Sequence, residues 1–184
     1  AAGSPDPARG AIFWFGALNP SSNTANVRLS YADSEMVVTL HIFDRRTIYD
    51  EAAGTGRDLT QWDAVTLYVD LQSNLSAPLG NQSYRFDGQL SHWQQRANYQ
   101  RAYRWQGGWQ AAGVPFTTSA GFRGSPNDQQ DDRGWNLSFR IPFGSLGLSA
   151  PPAKNSQWRM ALVLHDRDDL SAAPLADQAW PPKA

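Results

Sequence analysis

Cysteine is absent from the 184 residues, which excludes a disulfide framework, thiolate zinc sites and a cysteine nucleophile. Charge is scarce as well: Asp, Glu, Lys and Arg make up 18% of the chain, with a formal net charge of -1. A nucleic-acid partner would require a basic face, so none is expected. No apolar run reaches the roughly 18 residues of a transmembrane helix, so no membrane span is expected either. Helical periodicity is nearly missing; residues 51–61 and 142–146 have room only for short turns. The segment Ala1–Gly10 lacks a basic start and an apolar stretch, and reads as a tail rather than a signal peptide. No Gly-x-Ser-x-Gly elbow, phosphate-binding glycine loop or EF-hand loop occurs. Catalysis therefore has no sequence support, and a non-enzymatic protein is expected.

Aromatic residues are plentiful by contrast, at 12% with eight tryptophans. Trp carries a large apolar body and an N–H that wants a partner. One core of this size would not absorb eight, so several belong at a surface or a site. Low charge beside abundant Asn, Gln, Ser and Trp suits an extracellular or cell-surface protein facing a polysaccharide.

Period-two alternation, the mark of half-buried strands, recurs along the chain. Residues 25–31 and 36–44 flank Ala32-Asp33-Ser34 and predict a hairpin, with Val38, Leu40 and Ile42 on one face and His41 on the other. Residues 64–70 place Val65, Leu67 and Val69 together. Further strands are predicted at 83–90, 102–105, 109–111, 114–122, 134–143 and 158–166, with Gln106-Gly107-Gly108 as a hairpin turn. The stretches 73–81, 124–132, 150–156 and 171–184 read as coil. Trp135, Trp158, Met36 and Met160 lie in strand register and read as core. Short, closely spaced strands predict an all-β protein: one antiparallel β-sandwich over residues 1–184, with loose ends at 1–10 and 181–184.

The order of these elements resembles the family 9 carbohydrate-binding modules and the wider DOMON-like sandwiches. The likeness rests on the hairpin closing at Asp44, the strand between Asp63 and Asp70, and the run Tyr84-Arg85-Phe86. It continues in Ile141-Pro142-Phe143 with its short turn, the strand ending at Asp166, and a late Trp180. The opening departs from it, with Ala11-Ile12-Phe13-Trp14-Phe15-Gly16 in place of an Asp-rich start.

The resemblance implies a jelly-roll-like sandwich whose partner is a carbohydrate. It puts the sugar between Trp62 and Trp180 with Arg85 as a polar contact, and Thr66 where the family can carry an acid. It also implies structural calcium near Asp44 and Asp166, with Asp168 and Asp169 adding charge beside Asp166. Asn127, Asp128, Asp131 and Asp132 form another oxygen-rich loop. Trp93, Trp105 and Trp109, with Tyr103, make a second aromatic set around a hairpin.

Sugar recognition suits these residue types. Flat rings cover the C–H face of a pyranose, while Arg, Asn, Gln and Asp fix its hydroxyls. Two stacking platforms contribute roughly 3–4 kcal/mol at about 25 cal/mol per Å², close to millimolar affinity. Hydrogen bonds must supply the rest. The competing expectation is an adhesion or assembly module binding a protein or surface-layer partner, and either could be one part of a larger exported protein.

Overall fold

The computed structural model describes residues 10–19, 22–52, 54 and 56–182. Among these residues eleven strands form two antiparallel sheets. The five-stranded sheet holds β1 (Gly10–Asn19), β2 (Ser22–Tyr31), β3 (Glu35–Phe43), β8 (Thr117–Phe122) and β9 (Trp135–Pro142), in the order β1-β2-β3-β9-β8. The six-stranded sheet holds β4 (Ala64–Asp70), β5 (Ser83–Gln89), β6 (Gln100–Trp105), β7 (Trp109–Ala111), β10 (Arg159–His165) and β11 (Gln178–Trp180), in the order β11-β10-β4-β5-β6-β7. Among the described residues the only helical pieces are short 3-10 turns at Leu59–Gln61, Trp93–Tyr99 and Phe143–Leu146.

Alternation decides which side chains meet between the sheets. β9 buries Trp135, Leu137, Phe139 and Ile141 and leaves the residues between them half-buried or exposed. Its neighbour β3 turns Val38, Leu40 and Ile42 the same way, and β2 adds Ala25 and Val27. From the opposite sheet come Val65, Leu67, Val69, Tyr84, Phe86, Leu162 and Leu164, and these sets make one continuous core. Met36 is buried in it, while Met160 and Trp158 pack on its margin. Trp158 meets Phe143 edge-on, at 6.2 Å between ring centroids.

The hairpins predicted at β2–β3 and β6–β7 form, the second with Trp105 opposite Trp109. β1 and β11 are additions to the expected strand list. β1 falls in the segment that departs from the family pattern, and β11 falls in a stretch that reads as coil. Both are edge strands, and they lie against each other across the sandwich: Phe13 of β1 stacks on Trp180 of β11 with centroids 4.1 Å apart. That stack closes one side of the core.

Candidate functional site

Three strand ends meet at one end of the sandwich. Asp44 directly follows β3, Asp63 directly precedes β4, and Asp166 directly follows β10. His165 lies opposite Ala64, so Asp63 and Asp166 emerge side by side. Asp44 reaches them from the other sheet. Each offers a carboxylate oxygen, and these oxygens all lie within 4.8 Å of one another. All three residues are buried, at 4%, 0% and 1% exposure.

Part of this carboxylate array is held by donors of the protein. Asp44 accepts from the Arg46 backbone N–H at 2.8 Å and from Trp135 Nε1 at 3.0 Å. Asp63 accepts from the backbone N–H groups of Ile48, at 2.7 Å, and Arg167, at 2.9 Å. Asp166 Oδ1 is buried with no hydrogen-bond partner. Burial first, and repulsion between the carboxylates second, push Asp166 up to about 8. Burial likewise lifts Asp44 to about 7, and burial with repulsion from both neighbours lifts Asp63 well above the usual carboxylate range. Three acids crowded out of water have two ways to relieve that cost: take up protons, or share a multivalent cation. Calcium is an oxygen-seeking cation that accepts carboxylates from loops in flexible geometry. The orphaned oxygen of Asp166 and the all-oxygen donor set fit it.

Of the expected metal residues, the structure brings Asp44 and Asp166 together. Asp168 is half-buried beside them, close enough to raise both electrostatically. Asp169 is not in the array; its carboxylate accepts from Ser171 N and Oγ in a local turn. Asp63 went unselected in the sequence, although it brackets a strand just as the others do. The oxygen-rich loop is used internally. Asp132 accepts from Thr47 and Ser125, Asn127 Oδ1 from Tyr49 N, and Asp131 pairs with Arg45.

The outer face of the six-stranded sheet carries a second polar construction. Thr66 on β4, Asp87 on β5 and His165 on β10 project from it, and all three are buried. Arg85 grips Asp87 side-on through Nε and Nη2, each at 2.8 Å. Thr66 Oγ1 donates to Asp87 at 2.8 Å and lies 2.9 Å from His165 Nε2. His165 Nδ1 in turn meets Asp177 at 2.8 Å.

Aromatic rings stand around this network. The Arg85 guanidinium lies 4.8 Å from the centre of the Tyr103 ring. Tyr68 meets Trp109 at 5.4 Å, and Trp109 meets Trp105 edge-on at 5.3 Å. All four rings are half-buried, each presenting part of its surface. A hollow of about 340 Å³ opens beside Tyr68 and Trp109, bounded on its far side by Arg159, which is ion-paired to Asp70. The arrangement can offer flat apolar surface and fixed polar groups to one small polar ligand.

Arg85, Trp105 and Trp109 thus share one face, as the sequence suggested for the latter pair. Trp62 and Trp180 have separate ring neighbours. Trp62 lies ahead of β4 with the Arg167 guanidinium 4.5 Å above its ring. Trp180 sits opposite Leu162, a core residue, and its ring is spent on Phe13. Period-two geometry sends it inward, away from the Arg85 face. The side chain of Trp93 lies outside the described residues. Tyr68 was missed as a site residue; its place between Thr66 and Asp70 on the polar face was the available signal.

No family model matches the chain, and no curated protein matches it. Solved structures do. A family 9 carbohydrate-binding module from Caldicellulosiruptor kristjanssonii in complex with cellotriose superposes with a TM-score of 0.60 and 15% identity, covering 97% of this chain and 80% of that one. A structure of a family 9 module from the same organism, with glucose, gives 0.59 and 16% over 91% and 73%. A candidate carbohydrate-binding protein from Bacteroides uniformis gives 0.60 and 13% over 92% and 77%. The chain therefore has the β-sandwich fold of the family 9 carbohydrate-binding modules.

Proposed function

We propose that this protein is a non-catalytic carbohydrate-binding module that works outside the cell, with calcium clamping Asp44, Asp63 and Asp166. The sugar lies on the outer face of the six-stranded sheet. Its C–H face rests on Tyr68 and Trp109, and its hydroxyls meet Arg85. One observation carries this reading: Arg85 is held rigid by two bonds to buried Asp87 beside half-open rings. A polar group fixed in advance loses little entropy on binding. The complexes of similarly folded modules with cellotriose and glucose support the ligand class.

Calcium in this reading supplies positive charge that ties both sheets together at one end. Asp44 brings the five-stranded sheet, and Asp63 and Asp166 bring the six-stranded one. The backbone N–H groups of Arg46, Ile48 and Arg167 hold the carboxylates in place for it.

The test is calorimetry with cellotriose and affinity electrophoresis against a panel of neutral polysaccharides. Wild type should bind at least one, and Tyr68→Ala and Trp109→Ala should each weaken binding about tenfold or more, the worth of one stacking platform. Retention by no glycan, or binding indifferent to both changes, would overturn the site. Capture of a protein partner through the same face would favour the adhesion reading instead.

A further inference from the structure

The opposite face of the molecule carries a different combination of groups. On the outer side of the five-stranded sheet, Trp14 is 58% exposed and Phe43 is 54% exposed. Their rings lie within 22° of parallel, with centroids 5.8 Å apart. Register sets a polar row beside them: Trp14 pairs with Asn26, Asn26 with His41, and His41 with Asn136. A hollow of about 470 Å³ lies over this row, and Arg28, Arg123 and Arg133 also line it. Its floor passes over Gly134, where a left-handed φ of 84° and the Ile42 carbonyl leave no room for a side chain.

Charge here is uncompensated. Among the described residues no carboxylate lines the hollow. Elsewhere arginines either meet a carboxylate, as Arg45, Arg57, Arg85, Arg140 and Arg159 do, or donate to carbonyl and hydroxyl oxygens, as Arg96, Arg101, Arg104 and Arg167 do. Among the described residues, Arg28, Arg123 and Arg133 form no such pair. Three unpaired guanidinium groups around one recess, in a chain of net charge -1, mark a place that fits a localised negative charge.

We propose that this hollow is a second binding site, specific for an acidic sugar: a uronate residue of an acidic polysaccharide. The exposed Trp14 and Phe43 rings take the C–H face of the pyranose. Guanidinium groups take its carboxylate, which they match in shape and charge. Asn26, His41 and Asn136 supply donors and acceptors for hydroxyls. Inorganic phosphate would leave both rings unused. A nucleic acid would need a longer basic track than three arginines on an otherwise balanced chain.

The proposal stands apart from the Arg85 face, and the experiment keeps the two separate. The whole chain is titrated with an oligogalacturonate, with its methyl-esterified form, with cellotriose and with a single-stranded oligonucleotide. The acid oligosaccharide should bind, and methyl esterification should weaken it about tenfold or more by removing the charge. Trp14→Ala and the double change Arg123→Gln with Arg133→Gln should each cost about tenfold for the acid sugar, with melting temperature unchanged because these side chains are exposed. Trp109→Ala should leave acid-sugar binding intact, whatever it does to cellotriose. The proposal is overturned by no binding of the acid oligosaccharide or by equal binding of its ester. Loss through Trp109→Ala in place of Trp14→Ala, or tighter binding of the oligonucleotide, would overturn it equally.

Discussion

Trp135 Nε1 donates to Asp44 Oδ2 at 3.0 Å, a bond between a core indole and a carboxylate at the mouth of the sandwich. It places Asp44 from inside the molecule. The carboxylate is aimed by the packing of β9 against β3 together with its own turn, where the Arg46 backbone N–H donates to Oδ1.

Calcium should stabilise the protein strongly. At a concentration one hundred times its dissociation constant, a ligand that binds only the folded state adds about 2.7 kcal/mol. Differential scanning calorimetry in calcium and in excess chelator should give clearly separated melting temperatures. Superimposable curves would remove the clamp.

Without calcium, the pH profile has a definite sign. Burial raises Asp166 to about 8 and Asp44 to about 7, above unfolded values near 3.9. The folded state then binds more protons than the unfolded one between those limits, so stability falls as pH rises from about 4 and levels off above about 8. Calcium should flatten this slope. Chemical denaturation in chelator across pH 5 to pH 8 measures it, and a rise in stability over that range would contradict the assignment.

Asp63→Ala should be the most damaging of the acidic substitutions. It strands the N–H groups of Ile48 and Arg167, each costing about 1–3 kcal/mol when buried and unpaired. A loss of about 2–4 kcal/mol is expected, whereas Asp169→Ala in its exposed turn should leave the midpoint nearly unchanged. Urea melts of the two variants make the comparison.

Trp180→Ala and Trp109→Ala should separate stability from binding. Trp180 stacks on Phe13 and closes one side of the core, so its truncation should cost about 3 kcal/mol. Trp109 is half-buried on the outer face and should cost less stability while weakening sugar binding. If Trp180→Ala melts like wild type and loses the sugar, the two assignments are reversed.

Gly134→Ala should destabilise the chain by more than 1 kcal/mol. Its φ of 84° is the left-handed region, and an added Cβ would come 2.1 Å from the Ile42 carbonyl oxygen. Thermal melts of this variant beside Gly144→Ala, where nothing lies within 4 Å of an added Cβ, would show whether the close approach matters.

Local pattern alone determined much of this protein. Alternation at 36–44, 64–70 and 134–143 put Val38, Leu40, Val65 and Leu67 on shared faces and Trp135 in the core, because a strand can bury only every second side chain. The aspartates at strand ends were visible for the same reason: a charge ends a buried run. β11 stayed hidden because three residues, Gln178–Trp180, are too few to alternate legibly. Only the tertiary structure decided which ends converge. Asp63, Asp44 and Asp166 are separated along the chain and meet because strand pairing in one sheet and packing between two sheets bring them to one rim. Packing likewise turned Trp180 inward onto Phe13 and left Trp14 in solvent, since an indole's direction depends on what its strand is paired with and what lies across from it.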